Sequence, residues 1–245
     1  MNEHLIVSLD LNDMNKIKEI VSQLKGIVHY YKIGSIPFTY FGLDIVRYLK
    51  KEGCRIMLDL KYHDIPNTVA RACEGAMKMG VDLITLHTSG GFSMLEEAVK
   101  ATLVIAERTK TEKPKLLGIT VLTSIDEAHF SDLFGDLERT LEEQVVFLAR
   151  LAQSAGLDGV VASPREIRPI RQACGTDLLI VAPGIRPAYL SVTADDQARV
   201  MTPADAIKAG VDFIVVGRPI VQADNPAQAA RKIVEEIEHG FKADA

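Results

Sequence analysis

"AGVDFIVVGR", residues 209–218, places a glycine and an aspartate ahead of four apolar residues and closes on Gly217 and Arg218. An apolar run without polar alternation describes a strand covered on both faces, the habit of a parallel sheet packed between helices. The opening phrase recurs at Gly80-Val81-Asp82 and Gly156-Leu157-Asp158. In each copy the glycine suits the turn that ends a helix before the chain enters the next strand. Working outward, eight strand-like runs appear: "LIVSLD", "VHYYKIG", "RIMLDLK", "DLITLH", "KLLGITVL", "DGVVAS", "DLLIVAPGI" and "DFIVVG". The segments between them carry apolar residues at helical spacing, as in Ile45, Val46 and Leu49, or Val145, Leu148 and Leu151. Eight strand–helix units fill the 245 residues, the size of a (β/α)8 TIM barrel. The expectation is an α/β chain forming a single barrel domain over residues 1–245. A doubly wound open sheet would need a topological switch point and usually a glycine-rich loop after its first strand, which "SLDLND" lacks.

The composition, 47% hydrophobic, supplies one large core. Net charge is −5 with lysines and arginines scattered, which gives no footprint for nucleic acid or an anionic membrane and leaves a small molecule as the expected partner. Cys54, Cys73 and Cys174 lie far apart without CxxC spacing. "MNEHLIVSLDL" is too short and acidic for a signal peptide, and no run reaches the roughly 18 apolar residues of a membrane helix. A reducing, cytoplasmic setting with neither disulfides nor a zinc site is expected.

Barrels of this kind carry their chemistry at the C-terminal ends of the strands. Those ends are polar here: Asp10 closing the first run, Lys32 in the second, Asp59 and Lys61 in the third, Thr120 and Thr123 in the fifth, "APGIRP" in the seventh, and Gly217-Arg218 closing the eighth. Residues two apart on a strand share a face, so Asp59 and Lys61 should project together, with Asp64 following on the loop or first helical turn. At an effective dielectric near 20, a pair at 4 Å interacts by about 4 kcal/mol, enough to keep a lysine among carboxylates protonated and fit to donate a proton. The competing reading is a salt-bridge plug, but several charges at successive strand ends are a costly way to close a barrel.

Loops after the seventh and eighth strands are the usual phosphate grip of such barrels. Here they offer Gly184 with Arg186 and Gly217 with Arg218, glycine for close approach and arginine for a bidentate clamp. One such pair alone reads as a surface turn; two at the two expected loops read as a site. The connection from Pro183 to about Val200 is long enough for a lid, and Gln197 within it could reach a bound phosphate. His63 and His87 read as structural, and no His, Cys and carboxylate cluster has metal-ligand spacing.

Together these residues resemble the orotidine 5′-monophosphate decarboxylase family. "LDLKYHDIPNT", residues 58–68, matches its DxKxxD motif, supported by "SLD", "YKIG", "VLTS", "APGIRP…DDQARVMTP" and "IVVGRPI". The motif alone also occurs in sugar-phosphate decarboxylases and aldolases of the same barrel group. Magnesium-dependent members of that group place a glutamate where Lys32 stands, and a protonated lysine cannot ligate the ion.

The resemblance implies decarboxylation of orotidine 5′-monophosphate to uridine 5′-monophosphate without metal or cofactor, the last step of pyrimidine nucleotide synthesis. It implies that Lys32, Asp59, Lys61 and Asp64 form a charged catalytic network. Asp10 would serve the ribose, Thr123 the pyrimidine, and Arg186, Gln197, Gly217 and Arg218 the phosphate. It also implies a homodimer in which Asp64, Ile65 and Thr68 enter the neighbouring protomer's site. A phosphate-ligand sensor would be expected to lack the proton donor or its carboxylates, and all are present.

Overall fold

The computed structural model describes residues 2–135, 138–190 and 201–242. Its eight strands are β1 (Asn2–Ser8), β2 (Val28–Gly34), β3 (Arg55–Tyr62), β4 (Leu83–His87), β5 (Lys115–Ile119), β6 (Gly159–Val161), β7 (Leu179–Ala182) and β8 (Phe213–Val216). They pair in parallel and in chain order, and β8 returns to β1 through Leu5–Ile214, Ile6–Val215 and Val7–Val216. That closure rules out the open doubly wound sheet.

The helices are α1 (Met14–Leu24), α2 (Ser35–Phe41), α3 (Leu43–Lys51), α4 (Pro66–Lys78), α5 (Phe92–Thr109), α6 (Glu127–Phe134), α7 (Leu141–Ser154), α8 (Ile167–Cys174), α9 (Pro203–Lys208), α10 (Arg218–Val221) and α11 (Pro226–Lys242). Local sequence sets several starts. Asp13 accepts the amides of Asn15 and Lys16 at the head of α1. Thr140 and Glu143 form a reciprocal capping box on α7. Pro66 begins α4, its missing N–H costing nothing at that position.

Strand alternation sorts the core into two shells. Leu5, Val7, Ile33, Ile56 and Leu58 face outward and pack with Ile17, Ile45 and Val69 of the helices. Ile6, Tyr30, Met57, Leu83, Leu117, Val181 and Val215 face inward and fill the barrel. Two residues further along their strands, the inward positions after Ile6, Tyr30, Met57 and Leu83 are Ser8, Lys32, Asp59 and Thr85. The interior therefore changes from hydrocarbon to polar groups within one strand repeat.

The recurring glycine–aspartate phrase turns out to be a clamp. Gly80, Gly156 and Gly210 take φ of 75°, 85° and 98°, left-handed values at which a side chain is strained. The aspartate that follows accepts a backbone N–H from the preceding strand: Asp82 from Ile56 at 2.8 Å, Asp158 from Leu116 at 2.8 Å and Asp212 from Ile180 at 2.6 Å. Its own N–H returns to the carbonyl of that same residue in all three. Cations neutralise the carboxylates: Lys50 at Asp82, Lys113 and Lys115 at Asp158, Arg171 at Asp212.

Two strand boundaries differ from the sequence expectation. β1 stops at Ser8, two residues short of Asp10, because Leu9 makes the last ladder bond to Lys32 and Leu11 then turns back onto the Leu9 carbonyl. β5 stops at Ile119, so Thr120 and Thr123 stand beyond the strand.

Replacing Asp158 by alanine leaves the Leu116 N–H and two lysines without their acceptor. We expect a loss of about 2 kcal/mol, the usual range for a hydrogen bond to a charged group. In a chain of this size that lowers the melting temperature by roughly 4–8 °C. A melt within 1 °C of wild type would show that the clamp is dispensable.

Candidate active site

The polar inner layer forms a connected row. Ser8 Oγ donates to Asp10 Oδ2 at 2.6 Å, and Lys32 Nζ reaches Asp10 Oδ1 at 3.2 Å and Asp59 Oδ2 at 3.2 Å. Lys61 Nζ reaches the other Asp59 oxygen, Oδ1, at 2.9 Å, where Thr85 Oγ1 also donates at 3.0 Å. Exposure is graded along the row: the Asp59 and Lys32 side chains are 9% and 11% exposed, Lys61 35% and Asp10 47%.

This grading decides the charge states of the middle pair. Burial by itself favours neutral forms of both. For Asp59, burial is outweighed by the flanking ammonium groups of Lys32 and Lys61, which hold the carboxyl below the usual carboxylate value of 3.8. For Lys32, burial is outweighed by Asp59 and Asp10, which lift it above its usual 10.5. The pair is thus fixed in its ionised form across the neutral range.

Asp59 and Lys61 share a face, as alternation predicts, but the strand between them is irregular. Leu58 pairs with Ile84 and Tyr62 with Leu86, so Asp59, Leu60 and Lys61 stand opposite Thr85 alone. This β-bulge is closed by Lys61 itself, whose φ is 51°. A left-handed lysine costs roughly 1–2 kcal/mol relative to the right-handed or extended form. With this backbone the Lys61 ammonium meets the carboxylate two residues earlier.

Gly34 explains the closeness of the neighbouring pair. A Cβ on this residue would lie 2.8 Å from Asp10 Oδ1 and 2.9 Å from Lys32 Nζ. Only hydrogen fits there while the ion pair stays in place.

A cavity of about 470 Å³ opens over the row. Asp10, Lys32, Asp59, Lys61 and Thr123 line it, together with Gly184, Arg186, Gly217 and Arg218 from the loops after β7 and β8. Ile119, Val121, Val161 and Val215 supply an apolar floor and wall. Gly184 takes a φ of 79° before Arg186, whose N–H binds the Met201 carbonyl at 3.0 Å and ties this loop to the start of α9. Gly217 precedes α10 and would bring any Cβ within 3.3 Å of Ser8.

Three expected residues stand apart from this cavity. Asp64 accepts the Ile65 N–H at 2.6 Å, Ile65 is 67% exposed, and Thr68 is exposed on the first turn of α4. All three are exposed and none lines the cavity. Gln197 lies outside the described residues. The His63 and His87 rings lie 5.2 Å apart between centroids, tilted by 37°. Burial, with His63 and Lys61 nearby, pushes His87 below its usual value and keeps it neutral.

Thr85 and Ser8 were not singled out by the sequence. The available signal was their inward register, two residues after Leu83 and Ile6.

A barrel with a basic, glycine-bearing rim on one side and alternating lysines and carboxylates on the other defines a class of enzymes that hold a small phosphorylated substrate at the strand ends. The comparison with known sequences is specific. A sequence model of the Orotidine 5′-phosphate decarboxylase / HUMPS family matches residues 3–233. The chain belongs to that family. It is 46% identical to Orotidine 5′-phosphate decarboxylase of Geotalea daltonii over 236 residues, covering 96% of each chain. Against the enzyme of the same name from Trichlorobacter lovleyi it is 47% identical over 238 residues, 97% of this chain and 96% of the relative. The crystal structure of Orotidine 5′-phosphate decarboxylase from Lactobacillus acidophilus superposes with a TM-score of 0.82 at 36% identity, over 96% of this chain and 99% of that one.

Gly34→Ala tests the charged row without attacking the core, since the atoms it displaces are ends of flexible side chains. We expect a melting temperature close to wild type and a turnover reduced by about 100-fold, the scale of a 1 Å misplacement of catalytic groups. Full activity would mean that the Asp10–Lys32 spacing has no bearing on the chemistry.

Proposed function

We infer that this barrel removes the C6 carboxylate of orotidine 5′-monophosphate, releasing carbon dioxide and uridine 5′-monophosphate, a step of pyrimidine biosynthesis. Family membership and the named relatives support this reaction. The structural observation that carries the mechanism is the single carboxylate, Asp59, held between two ammonium groups at the mouth of the cavity.

The C6–carboxylate bond breaks and its electron pair stays in the plane of the pyrimidine, where the ring π-system cannot take it up. The stabilisation must be electrostatic. The Lys61 ammonium lies against C6, meets the growing negative charge, and then gives its proton to that carbon. Asp59 fixes Lys61 in place and lies near the departing carboxylate. Lys32 anchors Asp59 and the ribose, and Asp10 takes a ribose hydroxyl. Thr123 faces the pyrimidine, and Arg186 and Arg218, with Gly217 and Gln197, hold the phosphate across the cavity.

The reading calls for no metal and no cofactor. It draws support from Lys32, whose ammonium already neutralises Asp10 and Asp59 and occupies the place from which a divalent ion would have to bridge them. Among the described residues, no group of three or more His, Cys, Asp and Glu residues is arranged to hold a metal ion. A cytoplasmic location suits the three free cysteines, and among the described residues no helix is long and apolar enough to cross a membrane.

The same reading includes a homodimer. Lys61 is held by Asp59 and remains one-third exposed, while Asp64, Ile65 and Thr68 are exposed and do not line their own cavity. In the proposed pair, Asp64 of each protomer approaches Lys61 of the other, and Ile65 and Thr68 border the neighbouring ligand.

Loss of orotidine-monophosphate absorbance in purified protein tests the chemistry. We expect turnover that is insensitive to a chelator, and a fall of about 10⁴-fold or more in Lys61→Ala, equivalent to about 5 kcal/mol of transition-state stabilisation. Turnover that stops with chelator and returns with magnesium would overturn the metal-free reading.

Mixing inactive Asp59→Ala and Asp64→Ala protomers tests the shared site. A hybrid dimer has one cavity with both native aspartates, so about a quarter of wild-type activity should return at equal mixing, where half of the dimers are hybrids and each has one intact site of two. No recovery after verified exchange of subunits would place Asp64 in its own protomer's chemistry.

A further inference from the structure

We infer that Thr85 is a positioning residue for the decarboxylation, acting by holding the Lys61 bulge in its productive shape. The inference rests on the proposed reaction for its kinetic consequence, but its structural content stands on the β3–β4 pairing alone. Thr85 is completely buried on β4 and lies behind the charged row rather than in the cavity lining. Its hydroxyl accepts the Lys61 N–H at 3.0 Å and donates to Asp59 Oδ1 at 3.0 Å.

Those two bonds replace what a regular ladder would have provided. Where three residues of β3 face only Thr85, the Lys61 amide cannot take the carbonyl that regular register would offer, and a buried amide left alone is costly. The threonine hydroxyl fills that gap. Its own proton is then directed to the carboxylate oxygen that also receives Lys61 Nζ at 2.9 Å. One hydroxyl thus sets the backbone of Lys61 and the acceptor for its side chain together. Neither bond reaches the substrate, so the residue acts through Lys61 and Asp59.

Valine keeps the shape of threonine and removes both bonds. We expect Thr85→Val to lower kcat by about 10- to 100-fold while KM stays within about threefold, because the phosphate and ribose contacts are untouched. Thr85→Ser should restore most of kcat, since it returns the hydroxyl without the methyl group. Amide hydrogen exchange followed by NMR gives a readout independent of turnover: the Lys61 N–H should be protected in wild type and in Thr85→Ser, and exchange at least about tenfold faster in Thr85→Val. If Thr85→Val does not fold, Thr85→Ala takes its place in both measurements.

A valine or alanine variant with kcat within twofold of wild type would overturn the inference, as would equal losses in valine and serine variants or unchanged protection of the Lys61 amide. If wild-type protein fails to decarboxylate the nucleotide, the proposed reaction falls. The exchange comparison then still decides whether the hydroxyl holds the bulge.

Discussion

The Asp59 carboxylate organises the mouth of this barrel because each of its oxygens is committed to a different cation. Oδ2 takes Lys32 and Oδ1 takes Lys61, and burial makes each attraction strong enough to oppose the loss of hydration. Removing the carboxylate would leave two ammonium groups facing one another in a half-dry site. The inner layer below it is hydrocarbon, so the polar chain has nowhere to relax downward. The geometry at the strand ends is therefore set by charge pairing from above and by close packing from below.

The charged row and the proposed phosphate grip line one cavity and come from opposite ends of the chain. Asp10 to Lys61 belong to the first three strand–helix units, Arg186 and Arg218 to the last two. Closure between β8 and β1 brings them together, with the Gly217 backbone packed against Ser8. In the proposed reaction a remote phosphate grip would contribute to rate only through how firmly it seats the ring against Lys61, which would make the spacing across the cavity part of the chemistry.

Much of this was readable in the sequence because the signals were redundant. All eight apolar runs became strands, and the charges that closed the first three runs met in space, since each sat where an inward-facing strand end must point. What escaped reading had no compositional mark. "LDLKY" alternates like an ordinary strand, and nothing in a lysine announces a left-handed backbone, so the bulge at Lys61 was invisible. Thr85 hides within "DLITLH", where a hydroxyl passes for a β-former. Strand 5 was read too long because Val121 and Leu122 continue its apolar run into the cavity wall.

The aspartate clamps have a consequence for how such a barrel tolerates change. Each fixes the alignment of two neighbouring strands at the rim where they begin, through side-chain to main-chain bonds that involve none of the residues lining the cavity. Alignment and chemistry are thereby assigned to opposite rims. Loops on the far side can be shortened, lengthened or rewritten without the sliding of strands that would turn inward side chains outward. The fold keeps its frame as a fixed base and leaves the reactive face as the part free to be revised.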